Sequence, residues 1–216
     1  MTPEELQYDF TPQFDSPANT HHIQMRMVDQ GSYVLDVGCH TGIIGEELQK
    51  RRQAKVVGID TDHAALEIAK QRLSSALYID IEHSDWATKL IQDGYHNFDT
   101  IIFGDVLEHT RYPERILNEV KELLKPNGSI IVSLPNIAYW RVRLGLLLGR
   151  FDYTDTGILD RTHLRFFTRR SAGKLLEDAG YQITESDTSG FTLPHWLLRS
   201  LPGLLGFQRV MKATLI

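Results

Sequence analysis

The chain has 216 residues, a formal net charge of −5, 42% apolar residues and one cysteine, Cys39. This composition excludes a disordered chain and an intramolecular disulfide, and speaks against a general affinity for nucleic acid. The lone thiol and the acidic opening "MTPEELQYDF", which lacks a basic stretch before an apolar run, point to a reducing, cytoplasmic compartment and no secretory signal.

Residues 1–22 read as irregular, punctuated by Pro3, Pro12 and Pro17. From residue 33 a regular alternation begins. "YVLDVG" predicts a buried strand, "IIGEELQKRR" a helix with its basic residues late, and "KVVGID" a second strand. "DHAALEIAKQRL" predicts a helix, "ALYIDI" a third strand and "FDTIIFGD" a fourth. "PERILNEVKELL" is a helix opened by Pro113, "KPNG" a turn, and "SIIVSLP" a fifth strand. Residues 137–170 are too long for a simple connection, and such segments usually carry function. The helix "SAGKLLEDAG", the strand "YQITESD" and a closing strand in "GFQRVMKATLI" complete the pattern. Apolar strands alternating with helices predict an α/β fold, one domain over 1–216 with an inserted, substrate-covering segment over 137–170.

In such folds the ligand lies beyond the carboxyl ends of the strands. The loop after the first strand, "GCHTGIIG", has glycines at 38, 42 and 45, and His40 stands where a dinucleotide fingerprint needs its second glycine. An imidazole there crowds a pyrophosphate, and no Lys-Ser/Thr pair follows to make a phosphate loop. Asp60, ending the second strand, suits the two hydroxyls of a ribose. Asp80, ending the third, suits an adenine amino group, with the next backbone N–H facing a ring nitrogen. Asp36, inside the first strand, needs loop N–H groups or a ligand ammonium as partners. The ligand so outlined has adenine, ribose and an amino-acid-like end, without phosphates.

"VLDVGCHTG", "VVGID", "YIDIE", "FDTIIFGDVLEHT", "LLKPNGSIIVSLPN" and "LLEDAGY" occur in the order seen in class I S-adenosylmethionine-dependent methyltransferases, which the chain resembles over about residues 15–190. The resemblance implies a Rossmann-like, mostly parallel seven-stranded sheet of order 3-2-1-4-5-7-6 with helices on both faces. It implies that Gly38, Cys39 and Gly42 line the methionine end of S-adenosylmethionine, with Asp36 behind. It places Asp60 on the ribose, Asp80 and Ile81 beside the adenine, and Gly104 and Asp105 near the methionine moiety.

Transfer of a methyl group to a hydroxyl gains from a base, and histidine is the usual choice near neutral pH. His109 in "GDVLEHT" and His163 in "LDRTHLRFFT", the latter in a polar cluster with Asp160, are the candidate catalytic residues; a packed structural role is the alternative for each. "DVLEH" also resembles the Glu-x-x-Glu-His pattern of metal-dependent O-methyltransferases of small RNA and of ubiquinone synthesis, with Asp105 in place of the first Glu. Many relatives carry such residues without metal, so the metal-free reading is preferred and the metal assignment is left unknown.

The segment 133–168 is similar to one in bacterial methyltransferases associated with glycosyltransferases. A sugar or glycan hydroxyl is therefore the first acceptor expected, and Tyr139, Trp140, Tyr153 and Phe167 could stack on a sugar ring or on an aromatic substrate. A small-molecule or quinone-like acceptor is the alternative, and a catalytically inactive S-adenosylmethionine-binding partner is the non-enzyme rival. The apolar helix expected at 138–149 fits a core-facing lid first, then a peripheral membrane contact or a homodimer surface.

Overall fold

The computed structural model describes residues 14–190 and 193–216. Seven strands form one sheet: β1 (Tyr33–Val37), β2 (Lys55–Asp60), β3 (Ser75–Tyr78), β4 (Phe98–Gly104), β5 (Leu124–Pro135), β6 (Tyr181–Ser189) and β7 (Gln208–Leu215). Their order is β3-β2-β1-β4-β5-β7-β6, as expected. The pairs from β3 through β5 are parallel, and β7 runs antiparallel to both β5 and β6. The order reverses between β1 and β4, the switch point at which such sheets leave a crevice for a ligand beyond the carboxyl ends of the strands.

Alternation along the strands sends side chains to two cores. Leu35, Val37, Val57, Ile59, Phe98 and Phe103 pack on one face with Leu117 and Leu176. Val34, Val56, Ile102 and Ile131 pack on the other with Ile23, Met27, Leu48 and Leu66. The helices that supply these residues are α1 (Thr20–Met27), α2 (Ile43–Arg52), α3 (His63–Arg72), α4 (Trp86–Gln92), α5 (Pro113–Glu119) and α7 (Arg169–Asp178). Local chemistry fixes their starts. Asp62 accepts from the N–H groups of Ala64 and Ala65 to open α3, and Thr168 forms a capping box with Ser171 to open α7.

Several expectations are corrected. The stretch expected to be irregular contains the start of α1, capped by Asn19, and α4 is an additional helix. β3 closes at Tyr78, so Asp80 lies in the following loop and not on the strand. The helix expected over 113–124 is α5 followed by a 3₁₀ turn, Val120–Leu123. The "KPNG" segment belongs to β5, which is irregular there, with Asn127 at φ +65° and a register shift opposite Phe98 and Thr100.

The helix α6 (Trp140–Leu147) exists but buries none of its residues, which overturns the core-facing lid. Leu147 is 82% exposed and Leu148 63%. After β6, two short helices, α8 (His195–Ser200) and α9 (Pro202–Leu205), lead into β7. No helix among the described residues is long and apolar enough to cross a membrane.

Candidate active site

The loop after β1 is folded over the end of β2. The N–H groups of Gly38 and Cys39 both donate to the Ile59 carbonyl, at 2.8 and 3.1 Å. Gly38 has φ +70°, and a Cβ there would lie 2.6 Å from Val106 Cγ2, so a side chain would be strained and would have to displace Val106. His40, also at positive φ, donates its N–H to Asp60 Oδ2 at 2.7 Å. The other Asp60 oxygen accepts from the N–H groups of Thr61 and Asp62. Asp60 is thus held rigidly by backbone, half-buried, at the carboxyl end of β2.

Asp36 is buried, and its Oδ2 has no hydrogen-bond partner. Burial, and then the nearby Asp60 charge, push its pKa up to about 7. Cys39 is buried with its sulfur turned toward Gly58, where a Cβ would come within 2.6 Å of it. Burial raises the thiol above its ordinary value, so Cys39 offers the loop its backbone and not a reactive side chain. Asp80 accepts from the Glu82 N–H at 2.8 Å, and the Ile81 side chain packs into the core beneath.

Across the crevice, Gly104 ends β4 and Asp105 follows at φ +57°. That twist turns the Asp105 carboxylate away from its neighbours in sequence. Oδ1 accepts from Ser133 Oγ at 2.7 Å and Oδ2 from Gln208 Nε2 at 2.7 Å. Gln24, fully buried on α1, donates to the same Ser133 hydroxyl. The expected set of Asp105, Glu108 and His109 is therefore not formed.

His163 takes the place of Asp105. Glu108 and His109 sit on a 3₁₀ turn, Leu107–His109, and the long segment folds back over it: the N–H groups of Leu164 and Arg165 both donate to the Glu108 carbonyl. One ligand atom each from Glu108, His109 and His163 lie within 4.8 Å of one another. The two imidazole rings meet edge to face at 4.7 Å. His163 Nδ1 lies 3.1 Å from the Ile158 carbonyl, which can only accept, so Nδ1 carries the proton and Nε2 is left as an acceptor. Both Glu108 carboxylate oxygens are buried without a partner. Burial, and then Asp105, raise its pKa well above the ordinary carboxylate range. Burial, and then the neighbouring His163, lower that of His109. Asp160 is buried, yet the N–H and hydroxyl of Thr162 outweigh that burial and hold it below the usual value.

Residues 18–186 match the model of a family described as "Methyltransferase domain". The chain belongs to this family. It is a class I S-adenosylmethionine-dependent methyltransferase. A ubiquinone biosynthesis O-methyltransferase of Neisseria meningitidis serogroup A is 34% identical over 165 residues, covering 75% of this chain and 68% of that protein. One of Nitrosococcus oceani is 35% identical over 130 residues, covering 59% and 54%. The chain spans about half the length of the Nitrosococcus relative. A S-adenosylmethionine-dependent methyltransferase of Archaeoglobus fulgidus superposes with a TM-score of 0.62 at 15% identity, over 89% of each chain. The 1,6-didemethyltoxoflavin-N1-methyltransferase of Burkholderia thailandensis, solved with S-adenosylhomocysteine, gives 0.61 at 18% over 90% of this chain and 76% of that one. At these identities the likeness is one of fold.

The methyltransferase's own residues fit its cofactor. The unpaired Asp36 Oδ2 would suit a donor such as a ligand ammonium. The crowded Gly38 would let a ligand approach the backbone closely, and Asp60, which already accepts three backbone N–H bonds, would keep one lone pair on Oδ2 for a hydroxyl. Of the aromatic residues expected to stack on an acceptor, Tyr139 is buried against Phe207 and Phe167 packs on the core; Trp140 and Tyr153 are accessible. Sequence alone did not single out Ser133, Gln208, Gln24 or Thr162. Each is a common polar residue whose role appears only when the strands and the long segment are brought together.

Proposed function

We propose that this methyltransferase O-methylates a phenolic hydroxyl on a quinone-like, amphiphilic acceptor. The reading is carried by the two imidazoles of His109 and His163 gathered beside the end of β4, each with a ring nitrogen available to a hydroxyl proton. S-adenosylmethionine brings the electrophilic methyl group. Asp36, Gly38, Cys39, Gly42 and Asp60 hold and orient it, with Asp80, Ile81, Gly104 and Asp105 completing the walls. The histidines take up the hydroxyl proton as the oxygen attacks in line. The ubiquinone-related names of the relatives support a phenol over a sugar.

The unpaired Glu108 carboxylate favours one addition. Glu108, His109 and His163 are a donor set that would suit a divalent transition ion, which would acidify the acceptor hydroxyl by Lewis acidity in place of the histidine base, because an Nε2 bound to the ion cannot also take the proton.

The segment 137–170 covers the acceptor side, and its α6 is the proposed membrane contact. Residues 138–151 hold Arg141, Arg143 and Arg150 and no acid, in a chain of net charge −5, beside the exposed Leu144, Leu146, Leu147 and Leu148. A labelled-methyl assay tests these points together. A prenylated catechol in vesicles containing phosphatidylglycerol is expected to be methylated faster than in neutral vesicles, while a free hexose is not methylated. Chelator is expected to suppress turnover and manganese to restore it. Turnover on the hexose alone would overturn the acceptor assignment, and full activity in chelator would remove the ion.

A further inference from the structure

We propose that Thr162, anchored by Asp160, is a positioning residue that fixes His109 as its Nδ1–H tautomer and aims the bare Nε2 into the acceptor site. Thr162 donates both its N–H and its hydroxyl to Asp160 Oδ1, at 2.8 and 2.7 Å. Its hydroxyl proton is thereby committed. The Thr162 Oγ1 lone pairs then face His109 Nδ1 at 3.0 Å, and the Thr162 carbonyl stands 3.4 Å from the same nitrogen. Two acceptors converge on one ring nitrogen, so that nitrogen carries the proton. The shorter contact is the one that aligns the ring, since a hydrogen bond weakens toward 3.5 Å.

The chain Asp160 to Thr162 to His109 spans 53 residues of sequence between its last two members and closes the long segment onto the turn after β4. Asp160 is buried, and the two donors of Thr162 hold its carboxylate in place. The arrangement serves either a proton acceptor or a metal ligand, because both need an unprotonated Nε2 in a fixed direction. It rests on the acceptor-side role proposed for His109, and its test separates the two.

Nitrogen-15 spectra of the histidine rings at pH 8, in the chain saturated with S-adenosylhomocysteine, read the tautomer without any acceptor. The wild-type His109 is expected to show a protonated Nδ1 and a bare Nε2. Thr162→Val should move the population toward the opposite tautomer, and Thr162→Ser should keep the wild-type pattern. With a competent acceptor, Thr162→Val should lower kcat about 10-fold at unchanged KM, with recovery in the serine variant. A wild-type His109 protonated on Nε2, or a valine variant with unchanged tautomer, would overturn the proposal. So would a shifted tautomer with unchanged kcat. An enzyme that ignores the catechol while its tautomer follows Thr162 would refute the acceptor and leave the positioning intact.

Discussion

Asp36→Asn is expected to make the ligand-free chain more stable than wild type at pH 8 while weakening its hold on S-adenosylmethionine. Asp36 is buried with an unpaired oxygen, and its pKa lies at about 7 against an ordinary 3.8. A carboxyl group with a raised folded pKa holds its proton in the folded state after the unfolded chain has released it. Stability therefore falls as pH rises from about 4 to about 7, and the full loss is present above 7. That rise corresponds to roughly 4 kcal/mol, with the asparagine amide recovering only part because it too must be desolvated. Thermal melts at pH 5 and pH 8 check this: the variant should gain at pH 8 and not at pH 5. The ligand side has the opposite sign. An ammonium favours the ionised carboxylate, so wild-type affinity should increase from pH 6 to pH 8, and the variant should bind about 10-fold more weakly with a flat profile. A variant that melts like wild type at both pH values would show that Asp36 has partners in solution.

Loss of either histidine is expected to cost turnover far more than binding. His109→Ala and His163→Ala should each lower kcat by about 10²–10⁴-fold, with the melting shift given by S-adenosylhomocysteine retained. Their rings meet edge to face, and one nitrogen of each lies within 4.8 Å of a Glu108 oxygen, so they are expected to act as one device. The double variant should fall little below the worse single one, since groups acting as a unit are not additive. Equal and multiplicative losses would mean that the two rings work independently. Near-wild-type turnover in both would return them to a packing role and leave methyl transfer to proximity alone.

Much of the fold could be read from residues. "YVLDV" and "KVVGID" are apolar on both faces, and only a sheet covered on both sides buries such strands. Asp36, Gly38 and Asp60 were legible for the same reason: each is a residue whose type is costly unless a turn or a ligand requires it. The helices α1 and α4 were not legible, because seven or eight residues give too few turns for a periodic signal. The acceptor side was half legible. "DVLEH" puts Asp105, Glu108 and His109 at helical spacing, but the positive φ of Asp105 breaks that spacing and sends its carboxylate to Ser133 and Gln208. His163 enters in its stead from a segment whose ends meet through the Asn136 and Phe167 bridge, a contact that no local pattern encodes. The exposure of α6 was missed because its apolar run reads alike for a core and for an interface.

The central claim is that the two halves of the crevice divide the labour, with Asp36, Gly38 and Asp60 holding the cofactor and Glu108, His109 and His163 facing its methyl group. A crystal structure with S-adenosylhomocysteine bound tests it most directly. The account predicts the ligand's amino group on Asp36, directly or through one water, its ribose hydroxyls on Asp60, and its sulfur turned toward the two histidines. A ligand whose sulfur faces away from His109 and His163, or whose ribose leaves Asp60 untouched, would contradict it.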